Sequence, residues 1–242
     1  MADGTAATAR GGNSARTRSK RRAFIEIAIA YVLIMAVIWS PRPLQRYLWL
    51  VSVAAVATMM CLSWDGLKAM GLRRENFFRS LWVVGLALVL AAVAVAVAGE
   101  MHTLQVHHGF LHIVKTYWAY AVWTFAQQFL MQCFFLLRLL RLLPGPKSAA
   151  FATSGLFALA HLPNPILMPV TLLWGFAACL IFLCYRNLYP LGMAHAIFGI
   201  TIAITVPGPV VHNMRVGLGY MTYGQSHRHA PSMQPQGPDS VH

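Results

Sequence analysis

Three glutamines and two histidines stand in strongly apolar stretches where polar side chains are scarce: Gln127, Gln128 and Gln132 in one run, then His161 and His195. Imidazole exchanges protons near neutral pH, and a carboxamide both donates and accepts hydrogen bonds. Such a set can hold a carbonyl group, orient a water or move a proton. What is missing narrows this further. From Met101 to Pro238 there is no aspartate and no glutamate, so a proton acceptor drawn from this stretch has to be a histidine. A glutamine amide cannot act as a general base at neutral pH.

The elements that carry these residues are membrane helices. The chain is 58% hydrophobic and 10% charged, with mean hydropathy +0.58, whereas a water-solvated domain carries about 25% charged residues. Apolar runs cover Ala23–Ser40, Tyr47–Ser63, Leu81–Ala98, Tyr117–Leu137, Leu167–Tyr185 and Leu188–Val206. Each is close to the roughly 20 residues that cross the hydrocarbon layer as a helix. A shorter segment, Ala149–Leu162, lies between the Leu143-Pro144-Gly145-Pro146 break and the Pro163-Asn164-Pro165 turn. The expected class is an all-α polytopic membrane protein, a bundle of about seven transmembrane helices. A β-barrel is excluded, because its strands alternate apolar and polar residues in segments of about 10.

Seven spans with a cytoplasmic N-terminus divide the 19 lysines and arginines unevenly. Arg42, Arg46, Lys115, Arg215 and Arg228 fall outside and the other fourteen inside, the bias expected of cytoplasmic loops. The net charge of +13 is thereby explained by topology, and nucleic acid is not a predicted partner. The chain divides into a disordered basic tail (1–22), a transmembrane domain (23–206), an outer-face segment (207–223) and a disordered, His-rich tail (224–242). Lys20-Arg21-Arg22 faintly resembles a twin-arginine signal, but no small-residue cleavage site follows, and the segment is read as an uncleaved first span. Cys61, Cys133, Cys179 and Cys184 lie in apolar spans without a C-x-x-C pair and are read as small buried hydrophobes. The outer loop Glu100–Thr116 holds His102, His107, His108 and His112. His108 and His112 are spaced to share a helix face, which would suit a metal, but the reading adopted is an interfacial loop with solvated histidines.

Helical rise places the polar set at one depth. Gln127 lies about 15 Å from the outer end of its span, His195 about 10 Å from the inner end of its own, and His161 about 18 Å from Ala149. This depth permits a shared polar cavity at mid-membrane and equally permits three separate interhelical hydrogen bonds worth about 0.6 kcal/mol each. The order of motifs along the chain tips the expectation toward one polar site.

Gln127-Gln128-Phe129-Leu130-Met131-Gln132, Phe157-Ala158-Leu159-Ala160-His161 and His195-Ala196-Ile197-Phe198-Gly199, with Asn187-Leu188-Tyr189-Pro190 before the last, run in a recognisable order. Over roughly residues 71–205 the chain resembles the CPBP family, which includes the CAAX prenyl endopeptidases and bacteriocin-processing or immunity proteins. That family shows E-E-x-x-x-R, then F-x-x-x-H, then H-x-x-x-N or H-x-x-x-D. The resemblance implies a membrane-embedded endopeptidase in which the first glutamate activates water, helped by the F-x-x-x-H histidine, while the last His and Asn stabilise the oxyanion. By position, the site is Gln127, Gln128, His161 and His195. Gln127 and Gln128 replace the two glutamates, Gln132 the arginine and Gly199 the asparagine. The three charged groups of the first motif are thus lost together, and a buried arginine facing two amides would have been an unpaired charge. The implied partners are membrane lipid and a membrane-anchored or prenylated peptide, and no cofactor or metal is expected. Three functions compete: an endopeptidase using His161 or His195 as base, a non-catalytic family member that binds a membrane peptide or lipidated partner, and acid–base chemistry on a lipid or isoprenoid. An acid reaching in from elsewhere would favour the first, and Glu26, near the start of the first span, is the one placed to be buried.

Overall fold

A computed structural model describes residues 3–64, 66–105 and 110–223, with side chains from 17 onward except at 110–114 and 116. Every regular element among the described residues is helical. In chain order they are α1 (Asp3–Ile38), α2 (Arg42–Leu62), α3 (Phe77–Ser80), α4 (Trp82–Glu100) and α5 (Phe110–Phe129). A π-helical segment (Leu130–Leu136) continues α5 into α6 (Leu137–Leu142). α7 (Pro146–Leu159), α8 (Leu167–Tyr185), α9 (Tyr189–Thr205), α10 (Gly208–Val211) and α11 (Gly217–Met221) follow. Proline opens α2, α7 and α9, where the missing N–H would have no intrahelical partner.

Among the described residues, three helical stretches have the length and apolarity to cross a membrane: Arg42–Leu62, Phe77–Glu100 and Leu167–Tyr185. α9 is apolar but shorter, and α7 has 14 residues, about 21 Å of rise. On α4, Leu86, Val89, Leu90, Val93 and Val97 are all exposed and fall on one side at helical spacing. An apolar face of that length cannot be hydrated stably, and the protein is a membrane protein.

Loops gather at two ends of the bundle. At one end, Leu188 N–H donates to Gly71 O, Arg73 binds the carbonyls of Tyr185 and Arg186, and Asn187 binds those of Arg73 and Glu75. Gly71 has φ +73°, and a Cβ there would stand 2.6 Å from the Phe182 ring, so only glycine fits this turn. At the other end, Gln105 pairs with Ile204 and Val206, Gly217 N–H with Leu162 O, and Asn164 with Val211 and Arg215. Between them α7 packs on α8, α9 on α4 and α5, and α1 on α2 and α6. A Cβ on Gly175 would sit 3.2 Å from that of Ser154. Small residues at this contact bring α7 and α8 close, which is how packing gains energy without water to drive it.

The structure corrects several expectations. The basic segment 1–22 is helical from Asp3 and continuous with the first apolar span; it has no proline, and its alanines, arginines and lysine favour helix. The connection between α4 and α5 is shorter than the segment Glu100–Thr116 suggests, because α5 starts at Phe110. Cys61 and Cys184 are exposed, not buried, since they lie on outward helix faces where lipid replaces water. His102 is exposed with φ +54°. His107, His108, the side chain of His112 and the tail 224–242 lie outside the described residues.

Candidate functional site

The polar run sits where α5 gives way to the π-helical segment. The wider π turn re-aims side chains and recurs at functional positions. Gln128 and Gln132, one turn apart, are fully buried. Gln132 Nε2 donates to Gln128 Oε1 at 3.2 Å, and Gln128 Nε2 meets His195 Nδ1 at 3.3 Å. The relay runs in one direction, so His195 accepts at Nδ1 and keeps its proton on Nε2. Gln132 Oε1 is buried without a partner, which costs the desolvation of that oxygen.

His161 is assigned the opposite tautomer. Its Nδ1 lies 2.7 Å from Phe157 O, and a carbonyl only accepts, so Nδ1 carries the proton and Nε2 offers a lone pair. His161 sits in the turn that closes α7, not on the helix, because Pro163 disfavours helical backbone just ahead of it. Phe157 packs edge-on against both imidazoles, at centroid separations of 4.8 Å to His161 and 5.7 Å to His195. The two histidines can be no further apart than those separations laid end to end. One presents an acceptor and the other a donor, a division of labour set by their hydrogen-bond partners.

Gln127, His161 and His195 line one cavity of about 550 Å³. Its walls come from α1, α2, α5, α7, α8 and α9 and are chiefly apolar, so the expected polar cavity is an apolar one with a few polar groups. Gln128 lies behind the wall, holding His195. Asn187 takes no part: it is bound to Arg73 O, Glu75 O and Tyr189 N at one end of the bundle.

Two further polar side chains, Tyr120 and Trp174, line the same cavity. The hydroxyl of Tyr120 lies where a side chain at 199 would project, so Gly199 is the vacancy that Tyr120 fills. Tyr120 is seven residues before Gln127, two turns along the same face, a spacing that could have disclosed it. The indole Nε1 of Trp174, another wall residue, is buried without a partner. Because Tyr120 occupies the space, Gly199→Asn should not rebuild an oxyanion donor. Thermal unfolding in detergent should show it destabilised by about 1–3 kcal/mol as an overpacked site, with Gly199→Asn/Tyr120→Ala more stable than Gly199→Asn alone.

No carboxylate bonds to either histidine among the described residues. Glu26 is buried as expected, but elsewhere: Arg138 Nε donates to its Oε2 at 2.6 Å and Arg22 Nε to its Oε1 at 2.7 Å. Glu75 and Glu100 are exposed. Also among the described residues, no three His, Cys, Asp or Glu side chains gather as a metal site would require.

Residues 111–201 match the family model described as Rce1-like, type II CAAX prenyl endopeptidase Rce1-like. No curated protein and no solved structure matches the chain.

Proposed function

From the premise that segment 111–201 is Rce1-like and belongs to the CPBP family, we propose that this is a multi-pass, CAAX-protease-type protein of the cell membrane which holds a membrane-anchored or prenylated peptide and does not hydrolyse it by glutamate chemistry. The observation that carries this is the engagement of Glu26, the buried carboxylate among the described residues, by two arginines. It leaves the cavity with neutral groups only. Those groups suit recognition: His161 Nε2 accepts, while His195 Nε2–H, the Gln127 amide and the Tyr120 hydroxyl donate. A peptide group offers the complementary N–H and C=O, and the apolar walls suit an acyl or isoprenoid chain.

A second reading is a histidine-based endopeptidase. It is favoured by the tautomer of His161, whose Nε2 lone pair could take a proton from water, with Gln127 orienting that water. The two readings separate when binding and cleavage of one fluorescent prenylated peptide are measured side by side. Binding without cleavage, weakened by Gln127→Leu, is the expected result; turnover abolished by His161→Ala would replace it with the second reading.

The orientation completes the proposal. Seven crossings with the N-terminus in the cytoplasm put Lys147 inside and the tail beyond Tyr223 outside. Reporter fusions at Lys147 and His229 are expected to report opposite sides, and agreement between them would sink this topology.

A further inference from the structure

One end of the cavity is closed by the chain that follows α9. Residues 206–217 run as a strap from the end of α9 to the end of α1, two of the cavity's walls, and Met214 and Val216 line the cavity itself. Gln105 holds Val206 O at the start of this strap. At its other end Gly217 lies against Ile38 and donates its N–H to Leu162 O at 2.7 Å. Between these points His212, Asn213 and Met214 all hold left-handed backbone, with φ of +47°, +51° and +60°. Each Cβ there crowds the following carbonyl, and such backbone persists only where its surroundings over-determine it. One side chain supplies much of that restraint. Asn164 is fully buried. Its Nδ2 donates to Val211 O at 2.9 Å and to Arg215 O at 3.1 Å, on either side of the left-handed run. Its Oδ1 accepts the N–H groups of Ile166 and Leu167 where α8 begins. The strap is thereby bolted to the start of a long helix.

We propose that residues 206–217 are a lid over this end of the cavity, that Asn164 is its latch, and that the lid opens to pass the polar part of a membrane-anchored peptide. The proposal rests on the reading that the cavity holds such a peptide. Two features favour a moving lid over a fixed wall. The left-handed run relaxes once the strap is released, so backbone strain opposes the closed state and a few hydrogen bonds sustain it. The strap also has little rigidity of its own: α10 has four residues and α11 five, far below the length at which a helix is stable alone. When the strap lifts, Met214 and Val216 leave the wall, and the cavity opens at that end.

The test uses the full chain in detergent and reads two things: amide hydrogen exchange, and the association and dissociation rates of the fluorescent prenylated peptide. Asn164→Asp separates the two roles of this side chain. It keeps an oxygen for the amides of Ile166 and Leu167 but loses both donors to the strap. Each lost hydrogen bond is worth about fivefold, so the open form should become about 25-fold more populated. Exchange across residues 211–217 should quicken by that factor, while the amides of Ile166 and Leu167 stay protected. Peptide association and dissociation should both quicken, with Kd changing much less than either rate. Asn164→Ser, whose hydroxyl also suits a helix start, should act in the same direction and covers the case in which a buried carboxylate unfolds the chain. Equal exchange across 211–217 in wild type and both variants would overturn the proposal. So would a loss of protection that is as large at Ile166 and Leu167, which would make Asn164 a helix cap only. Faster strap exchange with unchanged peptide rates would overturn the lid and leave the peptide-holding reading intact. Absence of peptide binding by wild type would overturn that reading, and the lid's role with it.

Discussion

Purified wild-type protein is expected to cleave a prenylated, membrane-anchored peptide at least about 10²–10⁴-fold more slowly than a glutamate-dependent enzyme, the usual contribution of a general base. Gln127 and Gln128 cannot take the proton from an attacking water. Removing one oxyanion donor costs about a further 10²–10³, and Gly199 supplies no amide in place of the asparagine. Gln127→Glu alone should not restore activity. It would place a carboxylate in the apolar cavity without the arginine that Gln132 replaces, and an uncompensated buried charge tends to neutralise. The check is a cleavage time course with wild type, His161→Ala, His195→Ala and Gln127→Glu. Robust wild-type cleavage lost in either histidine variant would show that the imidazoles carry catalysis unaided.

Arg138→Met should destabilise the protein by about 3–5 kcal/mol, the usual consequence of leaving one partner of a buried ion pair alone. Arg138 is 3% exposed, and its guanidinium also lies 3.8 Å from the Phe134 ring centroid and bonds Phe134 O. Glu26 keeps Arg22, but that arginine is half exposed and screens less effectively. Glu26→Leu/Arg138→Met should recover most of the loss, since a well-packed apolar pair often equals a buried salt bridge. Denaturant titration in detergent measures both. If Arg138→Met and the double variant are equally unstable, the loss is one of packing and not of charge.

These expectations draw on different levels of the molecule. The residue sequence by itself determined the class: apolar runs near 20 residues with few charges allow nothing but membrane helices, because an unpaired backbone group cannot survive in hydrocarbon. It also determined the neutral motif and the acid-free stretch around it, which are matters of residue type alone. Helical spacing brought Gln128 and Gln132 onto one face, and the structure bonds them to each other. Helix ends were less legible, since the π-helical segment and the turn holding His161 depend on packing and on Pro163.

The pairings were decided only in three dimensions. Glu26 and Arg138 are 112 residues apart, and nothing local in either helix says that they meet. Had α1 docked differently, Glu26 could have reached a histidine. The opposite tautomers of His161 and His195 follow from a carbonyl on one side and an amide from another helix on the other. Tyr120 fills the space above Gly199 because α5 and α9 pack together there. Local sequence sets the period and polarity of each helix, but which side chains become partners depends on how whole helices dock, and docking is a property of the entire bundle.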